Sequence, residues 1–241
     1  MPVFRIENTG RAYRRPSAAS TVELGCSAAE DPHVLNEPTD FCRLWLFRHP
    51  ELDASCSAVA VGAGAAGLSR RGRSQVLQWI ELLKDVEVGE VHCGPQPQCH
   101  DPARALAQHR QLEARVDSLL RDQEMGRWQG RRWDEVMQTE DGAVRTFFSE
   151  FGDAKAPGGE NLGEAVERVL QWWTATAPSV LGKNLAVVLP GSVLSGFAAA
   201  MLGMRLSRCV SLNLPHGGLG VLDVFQNGTR IGTWNATALL R

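Results

Sequence analysis

The chain lacks the basic excess that nucleic-acid-binding proteins normally carry. Its 241 residues include 25 lysines and arginines against 27 aspartates and glutamates, a formal net charge of −2. A protein whose main partner is DNA or RNA neutralises many phosphates and needs clustered positive charge. We therefore expect no nucleic-acid partner. The apolar fraction of 44% is ordinary globular usage, enough for one large domain or two small ones.

The cysteines lack the spacing of a metal site. The six cysteines contain no C-x-x-C pair, and they match no zinc ribbon or zinc finger. The chain is also longer than the small secreted domains that depend on disulfides. We therefore expect free thiols in the reducing cytoplasm, and we predict no bound metal and no cofactor.

The sequence also lacks a long apolar run. Charged residues interrupt the stretch from Met1 to Arg15, so we expect no signal peptide. The longest apolar stretch, Val193 to Met204, is too short to span a bilayer, and we predict no membrane partner. Residues 1–41 are rich in Ser, Ala, Pro and Asn without sustained periodicity, which predicts a loosely structured N-terminal extension. The folded domain is expected over residues 42–241.

Strands alternate with helices over the rest of the chain. Short apolar runs predict strands, and apolar residues at helical spacing predict helices, with Ser69 as the N-cap of the first. The predicted strands are 44–47, 87–93, 184–189, 217–225 and 230–234, and the predicted helical segments are 68–83, 102–120, 161–177 and 192–202. The alternation predicts an α/β fold, a three-layer α/β/α sandwich around a mostly parallel central sheet. Sites in such folds lie where strands end, here at Arg48-His49-Pro50 and at Leu189-Pro190-Gly191.

Arg48 and His49 are the most informative pair. A neutral imidazole can attack phosphorus, and a guanidinium beside it can bind phosphate oxygens. The dipeptide alone favours another interpretation, in which His49 is hydrogen-bonded at the strand end and Arg48 forms a salt bridge. The surrounding segments decide between these alternatives.

Six segments resemble, in the same order, the motifs of the histidine phosphatase superfamily, which includes the phosphoglycerate mutases. They are Leu44-Trp45-Leu46-Phe47-Arg48-His49-Pro50-Glu51, Gly67–Arg73, Leu120–Gly130, Pro157-Gly158-Gly159-Glu160-Asn161, Asn184–Gly191 and the closing segment Val221–Leu240. Pro50 is found after the histidine in branches that resemble α-ribazole phosphatases. The resemblance covers nearly all of the chain from Arg43 onward, and it implies a phosphoglycerate mutase-like fold.

The resemblance also implies a mechanism and its residues. His49 matches the histidine that becomes transiently phosphorylated, Arg48 matches the first phosphate-binding arginine, and Asp122 falls at the acid that protonates the leaving group. Glu124 is a second candidate for this acid. Glu160, in the Pro-Gly-Gly-Glu block, is assigned to substrate binding.

Two positions depart from the family pattern. Gln98 stands where the family has a second phosphate-binding arginine, and Pro190 stands where it has a second histidine. Proline offers neither an imidazole nor a backbone donor. His216, in Leu214-Pro215-His216-Gly217-Gly218, is a candidate to compensate, as are His92 and His100, although an ordinary loop role is the default for each.

Two functions remain open from the sequence. The first is a phosphomonoesterase that acts through a phosphohistidine at His49 on a phosphorylated small molecule, in one form α-ribazole phosphatase-like. The second is a pseudophosphatase that binds a phosphorylated ligand or a protein partner without turnover. Helical tryptophans are expected in the core or at a subunit contact, which leaves a homodimer open.

Overall fold

The computed structural model describes residues 41–236. The strands are β1 (Phe41–Arg48), β2 (Val88–Cys93), β3 (Ala114–Val116), β4 (Asn184–Leu189), β5 (Leu219–Phe225) and β6 (Gly228–Trp234). The helices are α1 (Arg70–Leu82), α2 (Pro97–His109), α3 (Trp133–Ser149), α4 (Leu162–Val180) and α5 (Gly191–Met201). The predicted N-terminal extension lies outside the described residues, apart from Phe41, where β1 begins.

The six strands form one mixed sheet in the order β3-β2-β4-β1-β5-β6. β3, β2, β4 and β1 run parallel to one another, whereas β5 runs antiparallel to both β1 and β6. The register pairs Arg48 with Leu189, so His49 and Pro190 follow the ends of two adjacent strands. The prediction of a mostly parallel α/β sheet is confirmed.

Helices cover both faces of this sheet and give it three layers. Alternate residues of β1 point to opposite faces, because side chains alternate along a strand. Leu44 and Leu46 belong to the core beneath α4 and α5, while Phe47 lies in the core beneath α1 and α2, with its ring centroid 4.7 Å from that of Trp79. The two cores hold the sheet rigidly, and the loops at the carboxyl ends of its strands are built on that support.

Side chains cap the N-termini of α1 and α4. The Ser69 hydroxyl accepts a hydrogen bond from the Gly72 amide at 2.9 Å, so the predicted N-cap is confirmed. α4 begins with a capping box, in which Asn161 accepts from the Glu164 amide at 2.8 Å and Glu164 accepts from the Asn161 amide at 3.1 Å. These side chains satisfy amides that the first helical turn leaves unpaired.

The prediction of a helical segment over 102–120 is wrong in its bounds. α2 begins five residues earlier, because Pro97 at its first turn needs no amide partner and has a backbone angle already suited to a helix. Gln111, with φ +57°, follows the end of the helix, and the chain then forms β3. α3 was not predicted, although its buried residues Val136, Val144 and Phe147 lie at helical spacing; its backbone departs from helical angles at Glu140 (φ −140°, ψ 35°).

No single helix within residues 41–236 is long and apolar enough to cross a membrane. α5 and the 3-10 helix Leu206–Leu212 pass such a test together by length and composition, but they are bent by 112° relative to each other.

Candidate active site

His49 lies directly after β1 and is buried, with 6% of its surface exposed. Its Nδ1 lies 2.9 Å from the Pro50 carbonyl oxygen. Because a carbonyl can only accept, this contact places the ring proton on Nδ1 and leaves the lone pair on Nε2. Burial, with smaller contributions from His216 and Arg48, lowers the pKa of His49 to about 3. The ring is therefore neutral near pH 7, and a neutral imidazole is a nucleophile.

Arg48 is held by three partners from the loop before β5. Its Nη1 donates to the Leu214 carbonyl and to Asn213 Oδ1 at 3.2 Å, and its Nη2 lies 3.2 Å from His216 Nε2. The guanidinium also lies against the first residue of α5, since a Cβ on Gly191 would be 2.7 Å from Arg48 Nε. The cation and the helix N-terminus therefore concentrate positive potential at one place, which favours an anion.

His216 joins this pair from another part of the chain. Its ring centroid lies 4.9 Å from that of His49. Because a guanidinium can only donate, His216 Nε2 accepts from Arg48, which fixes a neutral ring with its proton on Nδ1. Burial and the charge of Arg48 lower the pKa of His216. The structure thus brings together Arg48, His49 and His216.

The loop carrying His216 is anchored through its backbone. Gln75 donates to the His216 carbonyl at 2.8 Å, Trp79 donates to the Gly217 carbonyl at 2.8 Å, and the Gly217 amide donates to the His49 carbonyl at 3.2 Å. Gly217 has φ +72°, and a Cβ there would be 2.5 Å from Gln75 Cδ, so glycine is required. The position of the histidine therefore does not depend on its own ring.

Pro190 occupies the N-cap of α5, beside His49, and is buried. The histidine near this place is His216, 26 residues further along the chain. The other two candidates have different contacts. His92 lies between Trp172, whose Nε1 donates to it at 3.2 Å, and Glu90 at 2.9 Å, while His100 on α2 lies 3.5 Å from Asp101.

Asp122 lies in the segment after the 3-10 helix Ser118–Leu120 and is half-buried. Its Oδ1 accepts from the Gln123 amide at 2.7 Å. Burial raises the pKa of Asp122 to about 6, against the opposing effects of that hydrogen bond and of Arg168 and Arg48. A carboxyl that is partly protonated near neutral pH can donate a proton. Glu124, the second candidate for the acid, is exposed and ion-paired with Arg121 at 3.2 Å.

Gln98 is buried, and both ends of its amide bind backbone. Nε2 donates to the Gly64 carbonyl at 2.8 Å, and Oε1 accepts from the Ala66 amide at 3.0 Å. In this arrangement the side chain holds the loop before α1. A contact between Gln98 and substrate stays a prediction.

Glu160 is engaged by two arginines. Arg168 forms a two-bond pair with its carboxylate, both distances being 2.9 Å, and Arg121 donates at 2.7 Å. The structure thus makes Glu160 the partner of Arg168 next to the Asp122 segment, and a contact with substrate stays a prediction. Arg168 was not singled out from the sequence, because nothing in a helical pattern reveals a partner on a distant loop.

The cysteines within residues 41–236 are free, and Cys26 lies outside that range. Burial raises the pKa of Cys93 to about 12, as it does for Cys42 together with a smaller effect of Glu90. Among the described residues, no group of three or more His, Cys, Asp or Glu side chains is placed to hold a metal ion.

The site thus consists of an arginine and a neutral histidine directly after β1, with a carboxyl of raised pKa nearby. Residues 44–237 match the family model of the histidine phosphatase superfamily (branch 1). The chain belongs to this superfamily, and the resemblance seen in the sequence is confirmed.

Relatives place the chain near the α-ribazole phosphatases. It is 24% identical to the adenosylcobalamin/α-ribazole phosphatase of Escherichia coli, over 82% of this chain and 97% of the relative. The solved α-ribazole phosphatase of Shigella flexneri superposes with a TM-score of 0.74 at 24% identity, covering 80% of this chain and 96% of that one. A mycobacterial glucosyl-3-phosphoglycerate phosphatase gives 0.71 at 22% identity, covering 80% and 98%. These structures support the same fold.

Proposed function

We propose that the protein is a phosphomonoesterase that works through a phosphohistidine at His49. The observation that carries the proposal is the fixed tautomer of His49, because the Pro50 carbonyl holds the proton on Nδ1 and leaves the Nε2 lone pair for attack. The low pKa of His49 keeps that lone pair available at neutral pH. Arg48, beside it, supplies the positive charge that a phosphoryl group requires.

Two balanced steps follow from these residues. His49 Nε2 attacks phosphorus, the bond from phosphorus to the ester oxygen breaks, and that oxygen takes the proton of Asp122 as the alcohol leaves. The Asp122 carboxylate then takes a proton from water while the water oxygen attacks phosphorus. The bond from phosphorus to nitrogen breaks, its electron pair returns to Nε2, and inorganic phosphate is released. Asp122 serves both steps, because its pKa of about 6 lets both forms exist near neutrality.

His216 is proposed to take the place of the histidine absent at position 190. Its contact with Arg48 and its distance of 4.9 Å from the His49 ring support this role. Because His216 Nε2 accepts from Arg48, the group it would direct at developing negative charge is its Nδ1–H, which has no hydrogen-bond partner among the described residues. A single donor of this kind contributes about 3 kcal/mol to a transition state. With His216 present, only the second arginine of the family pattern lacks a replacement, which favours turnover over a site that merely binds.

The proposed substrate class is a phosphomonoester of a small molecule, with an α-ribazole 5′-phosphate-like compound as one candidate. The names of the curated relatives support that candidate. Pro50 after the nucleophile agrees with it as well.

The test compares the wild-type protein with His49→Ala. Both are assayed on p-nitrophenyl phosphate and on a panel of phosphorylated metabolites that includes α-ribazole 5′-phosphate. Loss of the nucleophile is expected to lower kcat by at least about 10³-fold. The matched control is His100→Ala, which removes a part-exposed histidine of α2 and should leave the rate unchanged. Labelled substrate and an alkaline quench, under which phosphohistidine survives, should trap label on the wild type alone.

Equal background rates for the wild type and His49→Ala would refute the proposal. In that case, binding of a phosphorylated ligand measured by calorimetry would support the pseudophosphatase.

A further inference from the structure

Arg168 is a buried cation that the proposed chemistry does not use directly. It is 9% exposed on α4, and its guanidinium has partners on every side. Nε and Nη2 bind the Glu160 carboxylate at 2.9 Å each. Nη1 donates to the Leu119 carbonyl at 2.8 Å and to the Arg121 carbonyl at 3.3 Å, and Nη2 donates to the Asp122 carbonyl at 3.3 Å. Three carbonyls of one short segment, ending at Asp122, are thus held by one side chain.

Glu160 holds the same segment on the other side of Asp122. Its carbonyl accepts from Gln123 Nε2 at 2.8 Å, its carboxylate accepts from the Glu124 amide at 3.2 Å, and its amide donates to the Glu124 carbonyl at 2.9 Å. The Arg168–Glu160 pair therefore holds the backbone immediately before and after Asp122. These bonds fix the backbone on both sides of Asp122, and with it the position from which the carboxyl extends.

Packing alone does not explain a buried ion pair here. Two apolar side chains of similar size often fill such a place with equal or greater stability, because desolvating two charges is costly. What an apolar pair cannot provide is donors for three backbone carbonyls and a fixed charge near Asp122. Arg168 and Arg48 act on Asp122 to lower its pKa, Glu160 acts to raise it, and burial dominates.

We infer that Arg168 is a positioning residue for the acid Asp122, holding its backbone and directing its carboxyl toward the leaving group. This inference rests on the proposed phosphatase function. Glu160 takes part by keeping the guanidinium oriented. Both residues contact the Asp122 segment, so the role inferred for them is exerted through Asp122.

The first experiment uses the opposite charges of the two residues. In Arg168→Met, a cation near Asp122 is lost, so the pKa of Asp122 should rise, by about one unit. In Glu160→Gln, an anion is lost and the pKa should fall. Carbon-13 NMR titration of the Asp122 carboxyl measures both without any substrate. Shifts of opposite sign support the inference, whereas no shift, or shifts of one sign in both variants, would overturn it.

The second experiment varies the leaving group. An alkyl phosphate needs a proton from the acid, whereas p-nitrophenyl phosphate releases a stable anion and needs it little. Arg168→Met is expected to lower kcat about tenfold or more on an alkyl phosphate, and much less on p-nitrophenyl phosphate, with KM little changed. Arg168→Lys keeps the charge. It should restore the pH at which the rate changes as Asp122 titrates, but only part of the rate itself. Equal losses on both substrates would show a merely structural role.

The matched control is Arg43→Met. Arg43 binds the buried Asp223 through Nε at 2.7 Å and Nη2 at 3.2 Å, so it forms a comparable arginine–carboxylate pair. It lies five residues before Arg48 on β1, which places it about 17 Å from Arg48 along the strand. The Arg43→Met variant should be less stable, but any loss of kcat should be the same on the alkyl phosphate and on p-nitrophenyl phosphate. Circular dichroism and thermal melts show whether each variant folds. If Arg168→Met does not fold, Arg168→Lys is used for the leaving-group comparison.

The two hypotheses fail in different ways. If the wild type proves no more active than His49→Ala, the proposed function fails while the titration still reports on Asp122. If the wild type is active but the leaving group does not matter in Arg168→Met, the positioning role alone fails.

Discussion

Removing the His216 ring tests whether a histidine from a different loop has replaced the one absent at position 190. In His216→Ala the loop should keep its place, because Gln75, Trp79 and the His49 carbonyl hold it through backbone atoms. Arg48 keeps its bonds to Leu214 and Asn213. The loss should therefore be confined to the ring and its contact with Arg48.

The size of the effect follows from the state of the ring. His216 is neutral near pH 7, since burial and Arg48 lower its pKa, so its removal takes away one neutral donor, the unpartnered Nδ1–H, rather than a charge. Such a group contributes about 3 kcal/mol to a transition state, which corresponds to about 10²-fold in kcat. Binding of the ground state should change less, because Arg48 remains.

Steady-state kinetics on p-nitrophenyl phosphate and on the best substrate of the panel measures this loss. His216→Ala combined with Pro190→His then offers a direct rescue. The N-cap angles at position 190 (φ −65°, ψ 152°) are open to any residue, so a histidine fits the backbone there. We expect the double variant to recover at least part of the rate lost in His216→Ala.

A kcat for His216→Ala within twofold of the wild-type value would refute this reasoning. It would mean that the His216 ring has no part in the transition state. His100→Ala is again the control for loss of a histidine outside the cluster.

Three further predictions follow from the same contacts. Because the folded-state pKa of Asp122 is raised from 3.8 to about 6, its ionised form is disfavoured in the fold, and stability falls as pH rises from about 4 to 6. Asp122→Asn should therefore raise the free energy of unfolding at pH 8 by up to about 3 kcal/mol and have little effect at pH 4. Denaturant titrations that show equal gains in stability at the two pH values would contradict this. Gln98→Ala leaves two backbone groups of the loop before α1 without partners, which should cost about 1–3 kcal/mol and speed amide exchange over residues 62–67, and unchanged exchange would exclude the holding role. Gly191→Ala places a Cβ 2.7 Å from Arg48 Nε and should displace the guanidinium, lowering kcat/KM at least about tenfold, whereas Gly228→Ala, where a Cβ meets nothing within 4 Å, should not.

Much of the fold could be predicted from the sequence because its signals are local. Continuous apolar runs predicted β1 and β4, and an N-cap with helical spacing predicted α1. Each depends on residues within one element. α3 was missed although its signal is local too, since its buried residues Val136, Val144 and Phe147 keep helical spacing.

The sequence by itself determined the family, most of the elements in their order, and the pair Arg48-His49 at the end of β1, because motifs and local patterns contain this information. Only the tertiary structure decided what surrounds that pair. It brought His216 from a loop far along the chain to Arg48 and His49, bound the Gln98 amide to the loop before α1, and joined Arg168 and Glu160 around Asp122. These partners lie up to 168 residues apart, and no periodicity connects them. Their meeting depends on the packed sheet, which sets which loops share its carboxyl edge.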